Sequence, residues 1–310
     1  MGLNFSNMNI DEILNRYSLT FQKRLKKTEF KEVFLLKGNY HNKYILKIYL
    51  KNVNSKSQQM EKNFLRKIKN KKFDFLIFPE ILACGKNFLL TNYIHRIEYD
   101  KATIRKRKWT TDNITLIVSA LKEFQNIQIP SRYFSIKQRL LDPFLPVIKL
   151  AIFIPKIKKK INISQKNIYK LIYRYLYMYP QYTKTLSHND LQISNFTFHN
   201  DYKKMSMIDF ERLHFFADPL MDVLNYLVTA SYKIENWTFQ SKILKEYLSF
   251  VVTKKIINRA LADRIKLILL FYCCSYFLSV KNIEIKNSYF ENIKFLSSDF
   301  SYNKWIDFLS

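Results

Sequence analysis

The stretch His188-Asn189-Asp190-Leu191-Gln192-Ile193-Ser194-Asn195, followed after twelve residues by Ile208-Asp209-Phe210-Glu211, decides how this chain is read. Between the two blocks, Phe196-Thr197-Phe198 and Met205-Ser206-Met207-Ile208 have the composition of two short strands, with Asn200-Asp201 supplying a turn. A hairpin there carries Asn195 and Asp209 to neighbouring strand ends. Further on, Asp218-Pro219-Leu220-Met221-Asp222 opens a helix that the pattern carries to Ala230. Carboxylates are favoured at such a start by the helix dipole, so capping is the default reading of Asp218.

These blocks, H-x-D-L-x-x-x-N, I-D-F-E and D-P-x-x-D, fall in that order within thirty-five residues. Their order and spacing resemble the kinases of the aminoglycoside phosphotransferase and choline kinase superfamily. The resemblance implies an α+β, two-lobed protein-kinase-like fold. Residues 1–95 would form a small β-rich N-lobe, an antiparallel sheet plus one helix, and residues 96–310 a larger helical C-lobe with an insertion at about 131–180. It also implies ATP and Mg2+ as cofactors. Asp190 would orient the acceptor hydroxyl and take its proton, while Asn195 and Asp209 would bind magnesium. His188 would brace the loop, Asp222 would hold the catalytic segment, and Glu211 would approach the acceptor or a second metal.

Upstream, Val33-Phe34-Leu35-Leu36 and Lys43-Tyr44-Ile45-Leu46-Lys47-Ile48-Tyr49-Leu50 read as strands about a Lys37-Gly38-Asn39 turn. Tyr44, Leu46, Ile48 and Leu50 take one face; Ile45, Lys47 and Tyr49 take the other. From the strand alone Lys47 is an edge or solvent-facing residue, but its position resembles that of the kinase nucleotide lysine. Lys56 to Lys69 reads as a helix, with Met60, Phe64 and Ile68 in one row and Leu65 beside them. Glu61, its one acid, would pair with Lys47 if the resemblance holds. Two more strands are expected at Phe78–Ala83 and Phe88–Ile94, and backbone groups of Asn92, Tyr93 and Ile94 would then face the adenine.

Three departures from the family pattern stand out. The usual glycine after the histidine is Asn189, a residue that tolerates unusual backbone angles. Lys26-Lys27-Thr28-Glu29-Phe30-Lys31 occupies the place of the glycine-rich phosphate loop. Gln125 replaces a histidine at the end of a helix expected over Thr115–Ile127, which Pro130 stops.

The whole chain carries a net charge of +27, with forty lysines against twelve arginines and only three glycines. Part of that excess matches the codon bias of an A+T-rich genome. The rest suits an anionic partner such as a membrane surface or a phosphorylated glycan. Leu150-Ala151-Ile152-Phe153-Ile154-Pro155 followed by Lys156-Ile157-Lys158-Lys159-Lys160 joins apolar residues to clustered lysines, as peripheral membrane segments do, or forms a solvated helical insertion. Cys84, Cys273 and Cys274 give neither a disulfide framework nor zinc spacing, which suits a cytoplasmic protein. No secretory pattern is read in Met1–Tyr17, and Met1–Ser6 fits a myristoylation pattern. The longest uncharged run, Leu267–Val280, is fourteen residues, too short to span a bilayer.

The expected activity is thus phosphoryl transfer to a hydroxyl of a small molecule or glycan: a sugar, a lipid-linked sugar or an amino alcohol, whose cation Trp237, Tyr247 and Trp305 would cage. Polycationic acceptors fit poorly, since residues 214–310 carry twelve Lys and Arg against nine Asp and Glu. The competing class is a catalytically inactive kinase-like binding protein. A specific nucleic-acid partner lacks any arginine cluster or zinc knuckle, and no P-loop pattern is present.

Overall fold

The structure, a computed structural model, describes residues 10–50, 55–96, 110–129, 144–159, 165–178, 185–199, 201, 203–230, 238–251 and 259–297. The chain forms two compact units, one of Met1–Ile97 and Thr197–Leu213, the other of Glu98–Phe196 and His214–Ser310.

The first unit is built on an antiparallel sheet. Its strands β1 (Thr20–Lys27), β2 (Lys31–Lys37), β3 (Lys43–Tyr49), β5 (Ile81–Cys84) and β6 (Phe88–Asn92) lie in the order β1-β2-β3-β6-β5. Alternation along the strands divides its residues between two faces. One face sends Phe34, Leu36, Leu46, Phe88 and Leu90 into a core closed by Ile13 of the short helix α1 (Ile10–Arg16). The other face carries Lys47 and Tyr49 towards α2 (Ser55–Ile68), which buries Phe64, Leu65 and Ile68.

A second sheet places β9 (Met205–Met207) between β8 (Phe196–Phe198) and β4 (Leu76–Ile77), with β4 parallel to β9. The expected strand at Phe78–Ala83 begins only at Ile81. Pro79 precedes it and has no N–H to donate to a ladder. The strand expected to reach Ile94 ends at Asn92. Of the expected hairpin turn, Asn200 lies outside the described residues.

The second unit is helical. Its described helices are α3 (Thr111–Gln125), α4 (Leu145–Lys158), α5 (Gln165–Met178), α6 (Leu220–Ala230), α7 (Thr238–Val251), α8 (Arg259–Ser279) and α9 (Ile283–Ser297). Helix α3 starts four residues before the expected position because Thr110 and Asn113 form a capping box. Within the α4 tract, Leu150, Ile154 and Ile157 are core residues, whereas Ile148, Ile152, Lys156, Lys158 and Lys159 are exposed. Lys160 lies outside the described residues, as do Met1–Ser6, Trp237 and Trp305. A two-stranded ribbon, β7 (Thr185–Ser187) with β10 (His214–Ala217), frames the loop that begins at His188. Among the described residues no helix is long and apolar enough to cross a membrane.

Candidate active site

The residues singled out in the sequence fall into two groups, one in each unit. The first gathers around Lys47. Its ammonium donates to Glu61 Oε1 at 2.8 Å, Glu61 Oε2 at 2.9 Å and Asp209 Oδ1 at 2.8 Å. Lys47 is therefore not a solvent-facing residue. Burial alone would depress its pKa, but the Asp209 and Glu61 carboxylates outweigh that and hold it well above the ordinary lysine value.

Glu61 is 2% exposed and also accepts from the Tyr49 hydroxyl at 3.0 Å and the Phe210 N–H at 3.2 Å. One carboxylate thus ties α2 to β3 and to the segment after β9. Phe210 reinforces the tie by packing on Phe64 at 4.6 Å and Phe78 at 5.7 Å between ring centroids. Asp209 takes a left-handed conformation, φ 69° and ψ 63°, at the start of a single 3-10 turn through Arg212. Glu211 on that turn lies 3.7 Å from the Lys47 ammonium. Burial pushes the Glu211 carboxyl up; Lys47 opposes that shift, while Asp209 and Glu61 add to it.

Oxygens of Glu61, Asp209 and Glu211 all lie within 4.8 Å of one another. Hard carboxylate oxygens at that spacing fit magnesium chemically. Glu61 is already committed to Lys47, Tyr49 and Phe210, so Asp209 and Glu211 are the members suited to ligate.

Lys31 and Tyr49 join this group although sequence reasoning did not select them. Lys31 Nζ donates to Glu211 Oε1 at 2.6 Å and Asp209 Oδ1 at 3.3 Å. The β2–β3 register pairs Lys31 with Tyr49 and Val33 with Lys47. Directly opposed residues share a face, so once Lys47 points inward the register sends Lys31 and Tyr49 with it. Towards the end of β6, the N–H groups of Asn92 and Tyr93 donate to Glu80 O and Lys43 O within the sheet. Those two donors are committed within the first unit.

The second group is the loop from His188 to Asn195. Asp222, fully buried on α6, accepts from Ser187 Oγ at 2.9 Å, from the His188 N–H at 2.9 Å and from the Asn189 N–H at 3.0 Å. Burial raises its pKa, with His188 and the hydrogen bonds pulling the other way. The His188 ring is buried beside Phe124, 6.2 Å between centroids. Asn189 sits at φ 57°, a conformation that explains why glycine or asparagine is needed there. Asn195 donates its amide nitrogen to the Asp190 carbonyl at 2.9 Å, which fixes the plane of its side chain. Gln192 donates to Asp190 Oδ1 at 2.7 Å and steadies the carboxylate, a contact that sequence reasoning missed.

Behind the loop, Asp218 caps α6 through the Leu220 N–H at 2.9 Å and pairs with the buried Arg264, whose Nε lies 2.5 Å from Oδ2. Gln125 donates to the Pro219 carbonyl at 2.8 Å, and the Tyr247 hydroxyl lies 2.6 Å from both Gln125 Oε1 and that carbonyl. The residue that replaces the histidine therefore anchors the D-P-x-x-D segment. Tyr247 is 1% exposed, so it belongs to this anchor and not to an aromatic cage.

Residues 21–250 match the model of the phosphotransferase enzyme family. Solved structures similar to the chain include the streptomycin–ATP ternary complex of APH(2")-IIa, at 19% identity and TM-score 0.63 over 93% of this chain and 97% of that one. Choline kinase from Cryptosporidium parvum Iowa II is 16% identical with TM-score 0.60, covering 96% and 92%. Macrolide 2'-phosphotransferase type I is 14% identical with TM-score 0.55, covering 92% and 98%. No curated protein sequence matches the chain.

Proposed function

Because this chain belongs to the phosphotransferase enzyme family, we propose that it transfers the terminal phosphoryl group of ATP, in a magnesium-dependent reaction, to a hydroxyl of a small molecule or glycan. The observation that carries this reading is the Lys47 ammonium held between Glu61 and Asp209 at 2.8–2.9 Å. A buried lysine positioned by one carboxylate and facing another is suited to phosphate charge beside a metal.

When bound, magnesium would screen the phosphates and draw charge from the leaving oxygen. The chain's own residues do the rest. Asp209 and Glu211 would hold the ion, and the Asn195 side-chain oxygen would add a ligand. Lys47 would neutralise phosphate oxygens, and Glu61 would keep it aimed. Asp190, steadied by Gln192, would accept a hydrogen bond from the acceptor hydroxyl and take its proton late in transfer. Asp222 would keep the loop at that geometry through its three hydrogen bonds. Most of the rate gain comes from such positioning and fixed charge.

The acceptor is a sugar, a lipid-linked sugar or an amino alcohol. The basic balance of the chain favours an acceptor that already carries negative charge, at the cytoplasmic face of an anionic membrane. Incubation with ATP, magnesium and a panel of amino alcohols, sugars and lipopolysaccharide cores, followed by mass spectrometry, tests this. A product heavier by one phosphoryl group, formed by the wild type and not by Asp190→Ala, is the expected result. Equal product from both proteins would remove Asp190 from the reaction.

A further inference from the structure

Phosphates in nucleotide sites are commonly cradled by backbone N–H groups of a loop, and the turn between β1 and β2 has few left to offer. Thr28 closes it. The Thr28 N–H donates to the Lys31 carbonyl at 2.9 Å, and the Thr28 hydroxyl receives the N–H groups of Phe30 at 3.3 Å and Lys31 at 3.0 Å. The Phe30 carbonyl is tied to the Leu50 N–H at 2.9 Å. With those donors spent on the turn itself, positive charge for a phosphate must come from side chains.

Two of the basic residues of β1 are engaged elsewhere. Every residue of β1 is exposed, and Arg24 and Lys27 reach Glu32 at 3.5 and 3.3 Å, on the face of the sheet away from Lys47. Lys31 differs: its side chain is 11% exposed and lies against Glu211 and Asp209. Counting formal charges, Glu61, Asp209 and Glu211 face two ammonium groups, those of Lys31 and Lys47. A nucleotide brings several more negative charges to the same place. One lysine and one divalent ion would leave the phosphates poorly compensated, and a second ammonium reduces that deficit.

We propose that Lys31 is a phosphate-binding residue: a side-chain ammonium that takes over the task of the backbone amides this turn has consumed, leaving Glu211 and Asp209 for the phosphates when those carboxylates take the metal. The inference rests on the proposed nucleotide site and adds a residue to it. Lys31 then belongs to the substrate contacts, and its contribution scales with the number of phosphates on the ligand.

Calorimetric titration of adenosine, ADP and ATP, with magnesium, into wild type, Lys31→Gln, Lys31→Arg and Lys27→Gln tests it. Lys31→Gln is expected to weaken ATP binding about tenfold or more, the usual scale of a charge-assisted hydrogen bond, and to leave adenosine binding unchanged. Lys31→Arg keeps most of the affinity, and Lys27→Gln behaves as wild type. Thermal melting of each variant checks folding, and the arginine variant carries the test should the glutamine variant unfold. If Lys31→Gln binds ATP as tightly as wild type, Lys31 is only an internal counter-ion and the inference is overturned. A loss shared equally by adenosine overturns the phosphate assignment too. If the wild type binds adenosine derivatives with no dependence on phosphate or magnesium, the proposed function itself falls and takes the inference with it.

Discussion

Asn189 and Asp209 stand at φ 57° and 69°, the left-handed region where a Cβ crowds the following carbonyl. Each lies in one of the two motif blocks, and each sets the direction of the chain beside a charged group. At Asn189 the strain is separable from chemistry, because among the described residues its backbone N–H, not its side chain, makes the contacts that hold the loop. Asn189→Gly should therefore keep or slightly raise stability in urea denaturation, whereas Asn189→Ala should lose about 1 kcal/mol. Equal stability of the two variants would show that the conformation costs nothing. Asp190 is the opposite case, a residue whose loss should spare the fold. Asp190→Ala should bind magnesium–ATP as the wild type does and lower turnover by about a hundredfold or more. A loss of nucleotide affinity as large as the loss of turnover would move Asp190 from the acceptor to the nucleotide.

Glu61 shows what joins the elements of the first unit: helix α2, strand β3 and the turn after β9 meet on one carboxylate with four donated hydrogen bonds. Asp209 still compensates Lys47 when Glu61 is truncated, but the buried Tyr49 hydroxyl and Phe210 N–H lose their acceptor, so Glu61→Ala should cost about 1–3 kcal/mol in chemical denaturation. A cost below about 1 kcal/mol would mean that water replaces the carboxylate freely. Helix α2 and strands β2 and β3 were legible in the sequence because their apolar spacing is regular and Gly38 marks the turn. Strand β1 was not individually legible, since its residues Thr20–Lys27 are basic and exposed on both faces, a composition that protects an edge strand and hides its periodicity. Lys47, Glu61 and Asp209 could be named from motif spacing and Tyr49 shares a face with Lys47 by alternation, whereas Lys31 needed the β2–β3 register, which no local pattern contains. Gln125 and Tyr247 were missed as partners because their common contact, the Pro219 carbonyl, is 94 and 28 residues away in the chain.

Across the whole molecule, burial and charge set two further expectations. Cys273 and Cys274 are buried, and burial pushes the Cys273 thiol up to about 12, so both stay protonated through neutral and mildly alkaline pH. The half-buried Cys84 should alone react with a thiol reagent in the native protein, all three reacting after unfolding. Faster labelling of Cys273 or Cys274 between pH 7 and 9 would contradict that burial. The α4 tract sets the second expectation. With Ile148 and Ile152 exposed beside Lys156, Lys158 and Lys159, a membrane-facing role predicts salt-sensitive binding to anionic vesicles. Each lysine would contribute roughly 1 kcal/mol, and changing Lys156, Lys158, Lys159 and Lys160 to Gln should release the protein. If the wild type ignores such vesicles at low salt, the tract is a solvated helix. The proposed function stands on Lys47, Asp209 and Glu211 forming a magnesium-dependent nucleotide site. Equilibrium titration of ATP into wild type and Asp209→Ala, each with and without magnesium, tests it most directly. The expected result is binding by the wild type only when magnesium is present and a severe loss in Asp209→Ala; ATP binding of equal strength in all four titrations would rule such a site out.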